Sequence, residues 1–261
     1  MPTARINGLD IYYEDTGGAG PVLLFSHGFL MDREMFAPQI AALKGGYRCI
    51  AWDERGFGKT GPVAQPFSYW DSARDALGVL AHLNVPSATW IGMSQGGFLA
   101  MRAALLEPAK VKALVLISTR SGLDTQQTID EFRGLRAEWE KNGAANAKGM
   151  LADILLGKNR AEPAPWFAKW EKMTKQSLLY PIDALTGRDD LTPRIKDLKC
   201  PAIVFHGDAD VAIDIQHGEA LAKALPNCQK FVRVPGAGHT PNLTHPDVVN
   251  PLLTEFLGKF A

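Results

Sequence analysis

The chain is poor in cysteine, and the little it has is scattered. Cys49, Cys200 and Cys228 lie far apart, and none belongs to a C-x-x-C pair. That argues against a zinc site or dithiol chemistry, and an odd count without framework spacing fits a reducing compartment. Charge of one sign is also missing. The 28 Lys and Arg residues balance the 28 Asp and Glu residues, and no Lys/Arg-rich run stands out. A neutral chain of this kind argues against nucleic acid or an anionic membrane as the main partner. No apolar run approaches the ~20 residues that span a bilayer. The start, Met1-Pro2-Thr3-Ala4-Arg5, has no apolar signal-peptide core. There is no internal repeat and no low-complexity segment. The expectation is a soluble, cytoplasmic protein with no membrane or nucleic-acid partner.

What the chain does contain is enough apolar material for one large α/β domain or two small ones: 261 residues, 46% of them apolar and 21% charged. Asn7-Gly8 between two alternating segments signals a hairpin. Continuous apolar runs follow at 21–28, 47–52, 111–118 and 200–206, as expected of strands buried on both faces. Amphipathic segments at 34–43, 68–83, 214–224 and 246–260 have helical spacing. This alternation implies a parallel sheet with helices on both faces, and ligands of such sheets sit beyond the carboxyl ends of the strands.

The pattern breaks between about 121 and 192. That stretch is rich in Trp, Met, Lys and Glu and has no buried-strand run. It reads as helices over 126–141, 145–157 and 166–179, interrupted at Pro163 and Pro165. The expected organisation is a core built from 1–120 and 193–261, with 121–192 as a helical cap inserted over the sheet edge.

Chemistry concentrates at Thr89-Trp90-Ile91-Gly92-Met93-Ser94-Gln95-Gly96-Gly97-Phe98. A short apolar strand ends in Gly-x-Ser-x-Gly and passes directly into a helical run. A serine at the tip of so sharp a turn needs a strained backbone, and its neighbours two residues away must lack bulk. The turn exposes the Ser94 hydroxyl and leaves backbone N–H groups at a helix N-terminus, where they can stabilise an anion. A serine hydroxyl is a poor nucleophile without a base, and the base needs an orienting carboxylate. His239, after the last strand, and Asp210, after the strand before it, stand at suitable places. Asp208 and Asp214 are rivals for the acid, and Asp208 comes early in its loop.

Taken together, His27-Gly28-Phe29, Asp53-x-Arg55-Gly56-x-Gly58, Gly92-x-Ser94-x-Gly96-Gly97, Gly207-Asp208-x-Asp210 and Gly238-His239 resemble the α/β-hydrolase superfamily over nearly the whole chain. The resemblance implies the α/β-hydrolase fold, Ser94 as nucleophile, His239 as general base and acid, and Asp210 as orienting carboxylate. It implies an oxyanion hole made by the backbone N–H groups of Phe29 and Gln95, and no metal or other cofactor. The layout is similar to carboxylesterases and 3-oxoadipate enol-lactonases, so the expected activity is hydrolysis of a small-molecule ester or lactone. Perhydrolase, haloperoxidase-like or lyase chemistry on the same triad is the alternative. Thr60 and Thr244 depart from the family, which often carries Ser and Glu there.

Around this set, His27 reads as a brace for its loop, and His82 and His217 as surface residues. His206 lies at a strand end near the site. Asp53 and Arg55 read as a loop-holding pair. Trp139, Trp166, Phe167 and Trp170 read as cap core from which one or two rings face the substrate. Trp139, Trp166 and Arg120 are the expected substrate contacts, Arg120 being either a carboxylate partner or a solvated cation.

Overall fold

The structure is a computed structural model, and it describes residues 3–157 and 162–261. Positions 1–2 of the expected core and 158–161 of the expected cap lie outside the described residues. Eight strands form one sheet: β1 (Thr3–Ile6), β2 (Leu9–Asp15), β3 (Val22–Ser26), β4 (Arg48–Trp52), β5 (Ala88–Met93), β6 (Val111–Ile117), β7 (Ala202–Gly207) and β8 (Cys228–Val234). Their order is β1-β2-β4-β3-β5-β6-β7-β8. The first two strands pair antiparallel through Asn7 and Gly8, both at positive φ as a tight hairpin requires. From β4 onward the ladder is parallel. Every residue of β5 and β7 is buried, which is why both read as continuous apolar runs rather than alternating ones.

The helices between strands are α1 (Ala37–Leu43), α2 (Tyr69–His82), α3 (Gln95–Leu106) and α8 (Ile215–Ala224). The chain steps one way from β3 to β4, then back over β3 to β5. Right-handed crossovers therefore put α1 on the face opposite α2 and α3. α2 and α3 pack on each other, and α9 (Pro241–Thr244) and α10 (Pro246–Phe260) close against α1. Ser68 starts α2 with a capping box: its hydroxyl accepts from Asp71 N–H while the Asp71 carboxylate accepts from Ser68 N–H. The reversal leaves a crevice where the loops after β3 and β5 part, the ordinary place for a ligand in an open α/β sheet.

Between β6 and β7 the chain forms α4 (Gln126–Asn142), α5 (Lys148–Leu156), α6 (Ala164–Trp170) and α7 (Leu179–Thr186). The helix expected over 166–179 is a correction. It ends at Trp170, and a second helix begins at Leu179. The turn between them is held by side chains: the Thr174 and Ser177 hydroxyls bond each other at 3.0 Å, and Trp139 Nε1 donates to Thr174 O. Pro181 sits in the first turn of α7, where its missing N–H costs nothing. Among the described residues no helix is long and apolar enough to cross a membrane.

Candidate active site

The turn after β5 has the strain its sequence implies. Ser94 sits at φ 50° and ψ −113°, an unfavourable region for a residue with a Cβ that costs on the order of 1–3 kcal/mol. It is held by Ser94 N–H to Ile117 O at 2.8 Å and by the Thr119 hydroxyl to Ser94 O at 2.8 Å. A Cβ on Gly92 would strike the Gly96 carbonyl, and one on Gly96 would strike the Ser26 carbonyl. The two glycines are therefore required by close backbone approach. α3 starts at Gln95, whose N–H lies in the first turn, where no carbonyl of the helix itself can accept it.

His239 follows β8 and Asp210 follows β7, and both reach Ser94. His239 Nδ1 lies 2.8 Å from Asp210 Oδ2, and Nε2 lies 3.0 Å from Ser94 Oγ. A carboxylate only accepts, so Nδ1 carries the hydrogen and Nε2 is free to accept from the serine hydroxyl. All three side chains are buried. Asp210 Oδ1 accepts from Ala212 N–H at 2.9 Å and Ile213 N–H at 3.0 Å. Burial alone would raise the Asp210 pKa, but His239, the hydrogen bond from His206 and the Ile213 N–H outweigh it. The carboxylate is held well below its usual range. Asp208 instead accepts from Gly236 N–H, and Asp214 caps α8, so neither rival is near the histidine's ring nitrogens.

His206 is fully buried behind Asp210, not at the cavity wall. Its Nε2 lies 2.8 Å from Ile213 O and 3.2 Å from Asp210 Oδ2, two acceptors, so Nε2 must carry a hydrogen. This support for the carboxylate was missed in sequence. The available signal was a histidine at the end of a buried strand, four residues before the acid.

His27 braces its loop as expected, accepting Glu54 N–H at Nε2. The Asp53–Arg55 pair is a correction. Asp53 bonds the Arg33 guanidinium at 2.7 Å and Lys59 N–H at 2.8 Å, while Arg55 bonds Asp75 at 2.6 Å. Arg33 is buried and needs a buried carboxylate, and the left-handed Gly58 turns Lys59 N–H onto the same group. Thr60 does the work of a serine hydroxyl there, donating to Asp53 O and accepting from Tyr12 N–H. Thr244, where the family often has Glu, bonds Thr240 O and His245.

Ser94 and His239 open on a cavity of about 790 Å³. Phe29, Leu30, Met93 and Phe98 form its floor, and Phe132 and Leu135 of α4 with Leu151 and Leu155 of α5 form its roof. Trp139 and Trp166 do not border it, which corrects their expected role. Trp139 is fully buried and bonded to Thr174 O, and Trp166 packs under Lys169 at 4.4 Å. Trp170 likewise donates to Leu30 O at 2.7 Å, tying α6 to the loop after β3. An indole needs a partner for its N–H when buried; the helices use Trp139 and Trp170 that way and line the cavity with Phe132 and aliphatic chains. Arg120 does border the cavity, but it is ion-paired with Asp124, which also pairs with Arg188. Burial and the Arg188 charge bring the Arg120 pKa down to about 10, against the pull of Asp210.

Residues 21–246 match the family described as the alpha/beta hydrolase fold. A provisionally named non-heme chloroperoxidase of Synechocystis sp. is 31% identical, over 95% of this chain and 95% of its own. Among solved structures, a thermophilic esterase from Thermogutta terrifontis matches with a TM-score of 0.85 at 26% identity, covering 99% of this chain and 97% of that one. The enol-lactonase from Burkholderia xenovorans matches with a TM-score of 0.87 at 23% identity, covering 99% and 100%; at that identity the likeness is one of fold.

Proposed function

The chain belongs to the α/β-hydrolase fold family, and from that premise we propose that it is a serine hydrolase of small-molecule carboxylic esters or lactones, acting through an acyl-enzyme. The observation that carries the reading is the unbroken relay from Ser94 Oγ through His239 to Asp210, opening on an apolar cavity. Ser94 Oγ attacks the substrate carbonyl as its proton passes to His239 Nε2. Asp210 holds the ring and stabilises the imidazolium. The Phe29 and Gln95 N–H groups receive the oxyanion, a contribution of roughly 3–4 kcal/mol per donor. His239 returns the proton to the leaving oxygen. It then takes one from water, which attacks the acyl group and releases the acid with Ser94 restored.

The cavity favours a neutral acyl group. Its walls are mostly apolar, Arg120 is already paired with Asp124, and Glu131 and Glu138 border the same space. A second reading draws on the Synechocystis relative's name: hydrogen peroxide in place of water would release a peracid from the same acyl-enzyme. The test is hydrolysis of a short p-nitrophenyl ester by wild type and Ser94→Ala. A loss of at least 10⁴-fold is expected, on the order of what a missing nucleophile costs. Turnover at the wild-type level in the variant would overturn the reading. Peracid formation from acetate and hydrogen peroxide, measured beside ester hydrolysis, separates the two nucleophiles.

A further inference from the structure

One buried titratable group near the site takes no part in the Ser94 relay: Glu54, on the loop leaving β4 and 1% exposed. We propose that Glu54 is a positioning residue that fixes both oxyanion donors, one through its backbone and one through its side chain. The inference rests on the ester-hydrolase reading above.

The backbone route runs through His27. Glu54 N–H donates to His27 Nε2 at 2.9 Å, so Nδ1 carries the ring hydrogen and donates to Gly28 O at 2.8 Å. Burial lowers the His27 pKa against the pull of Asp53, so the ring stays neutral and this tautomer is kept. Gly28 C=O and Phe29 N–H belong to one planar peptide, so holding the oxygen sets the direction of the N–H. A hydrogen bond accepted by the carbonyl also polarises the peptide and strengthens its N–H as a donor.

The side-chain route runs through Gln95. Gln95 Nε2 donates to Glu54 Oε2, and Gln95 Oε1 accepts from the Tyr69 hydroxyl at 2.9 Å. Both ends of the Gln95 amide are thus held, at the residue whose own N–H is the second donor. Glu54 stands in this network uncharged. Burial pushes its pKa up to about 8, despite the Ser72 hydroxyl, Arg55 and Gln95, with Asp75 adding to the rise. The groups facing its carboxyl are Tyr69, Ser72 and Asp75 of α2, Gln95 of α3 and Arg55 beside it, while His27 meets its backbone N–H. Arg55 is committed to Asp75. An ionised Glu54 would set a negative charge behind the site where the oxyanion forms, so turnover should fall as pH rises through its titration.

The experiment compares wild type, Glu54→Gln and Glu54→Leu by steady-state hydrolysis of p-nitrophenyl butyrate between pH 6 and 9.5. Glu54→Leu should lower kcat by about 10- to 50-fold, less than outright loss of a donor, with KM changed by less than about threefold. Glu54→Gln, an uncharged isostere, should recover most of kcat at pH 7 and lack the alkaline decline near pH 8 expected of wild type. A folded Glu54→Leu with wild-type kcat, or an unchanged alkaline limb in Glu54→Gln, overturns the inference. If Glu54→Leu does not fold, the Glu54→Gln profile decides alone. Absence of Ser94-dependent hydrolysis in wild type would overturn the ester reading and this inference with it. Hydrolysis that is insensitive to Glu54 overturns only the inference.

Discussion

Replacing Glu54 with Gln should change how stability depends on pH, whatever the enzyme's substrate. The Glu54 carboxyl is buried and its pKa is raised from an ordinary 4.5 to about 8, chiefly by loss of solvation. Between those values the native state keeps a proton that the unfolded chain has released. Stability therefore falls with rising pH across that window, being fully present below 4.5 and lost as pH passes through about 8. At 1.36 kcal/mol per pH unit, the folded state gives up about 5 kcal/mol relative to a neutral isostere once the group is ionised in both states. Urea unfolding of wild type and Glu54→Gln at pH 5, 7 and 9 reads this directly, because titrating groups remote from Glu54 cancel in the difference. The Gln variant should gain on wild type by about 4 kcal/mol between pH 5 and pH 9. A difference that stays flat within about 1 kcal/mol would refute the reasoning, since a carboxyl free to ionise at its ordinary pKa contributes no such slope.

Removing the donor behind Asp210, by His206→Phe, should lower kcat by about tenfold with KM little changed, the value of one hydrogen bond to a charged group; equal kcat would mean His206 only packs. Asp53→Ala leaves the buried Arg33 guanidinium without its main partner and should destabilise the fold by about 3–5 kcal/mol in urea titration. Lengthening a p-nitrophenyl ester from acetyl to hexanoyl should raise kcat/KM, by up to about fourfold per methylene if each is fully buried at 0.8 kcal/mol. Leu135→Trp, which fills the cavity, should abolish that gain, whereas Trp166→Phe, away from the cavity, should not; a preference for acetyl in wild type would contradict the apolar cavity as the acyl site.

The sheet and the meeting of Ser94, Asp210 and His239 were legible from the strands that precede them. Ser94 and Asp210 stand beyond strands buried on both faces, which advertise themselves as short apolar runs. His239 stands beyond the edge strand β8, where only alternate residues near its end are buried. The glycines at 92 and 96 were legible because backbone crowding leaves no alternative. What the sequence hid was set by partners distant in the chain. Asp53 pairs with Arg33 rather than with its neighbour Arg55 because Arg33 arrives from the loop after β3 and is buried there. Trp139 and Trp166 looked like substrate contacts because aromatic rings in a helical segment suit a pocket or a core equally well. The turn at 171–178 was invisible because its hydrogen bonds include one from Trp139, 35 positions away from Thr174. Glu54 was overlooked because nothing local separates a buried glutamate from a solvated one.

The central claim is that Ser94 is an activated nucleophile, and covalent labelling tests it most directly. Intact wild-type protein treated with a fluorophosphonate should gain the mass of a single adduct, which peptide mapping should place on Ser94. His239→Ala should label at least about 100-fold more slowly, within what general-base assistance supplies. No adduct on wild type, or an adduct on another residue with Ser94 unmodified, would contradict the account.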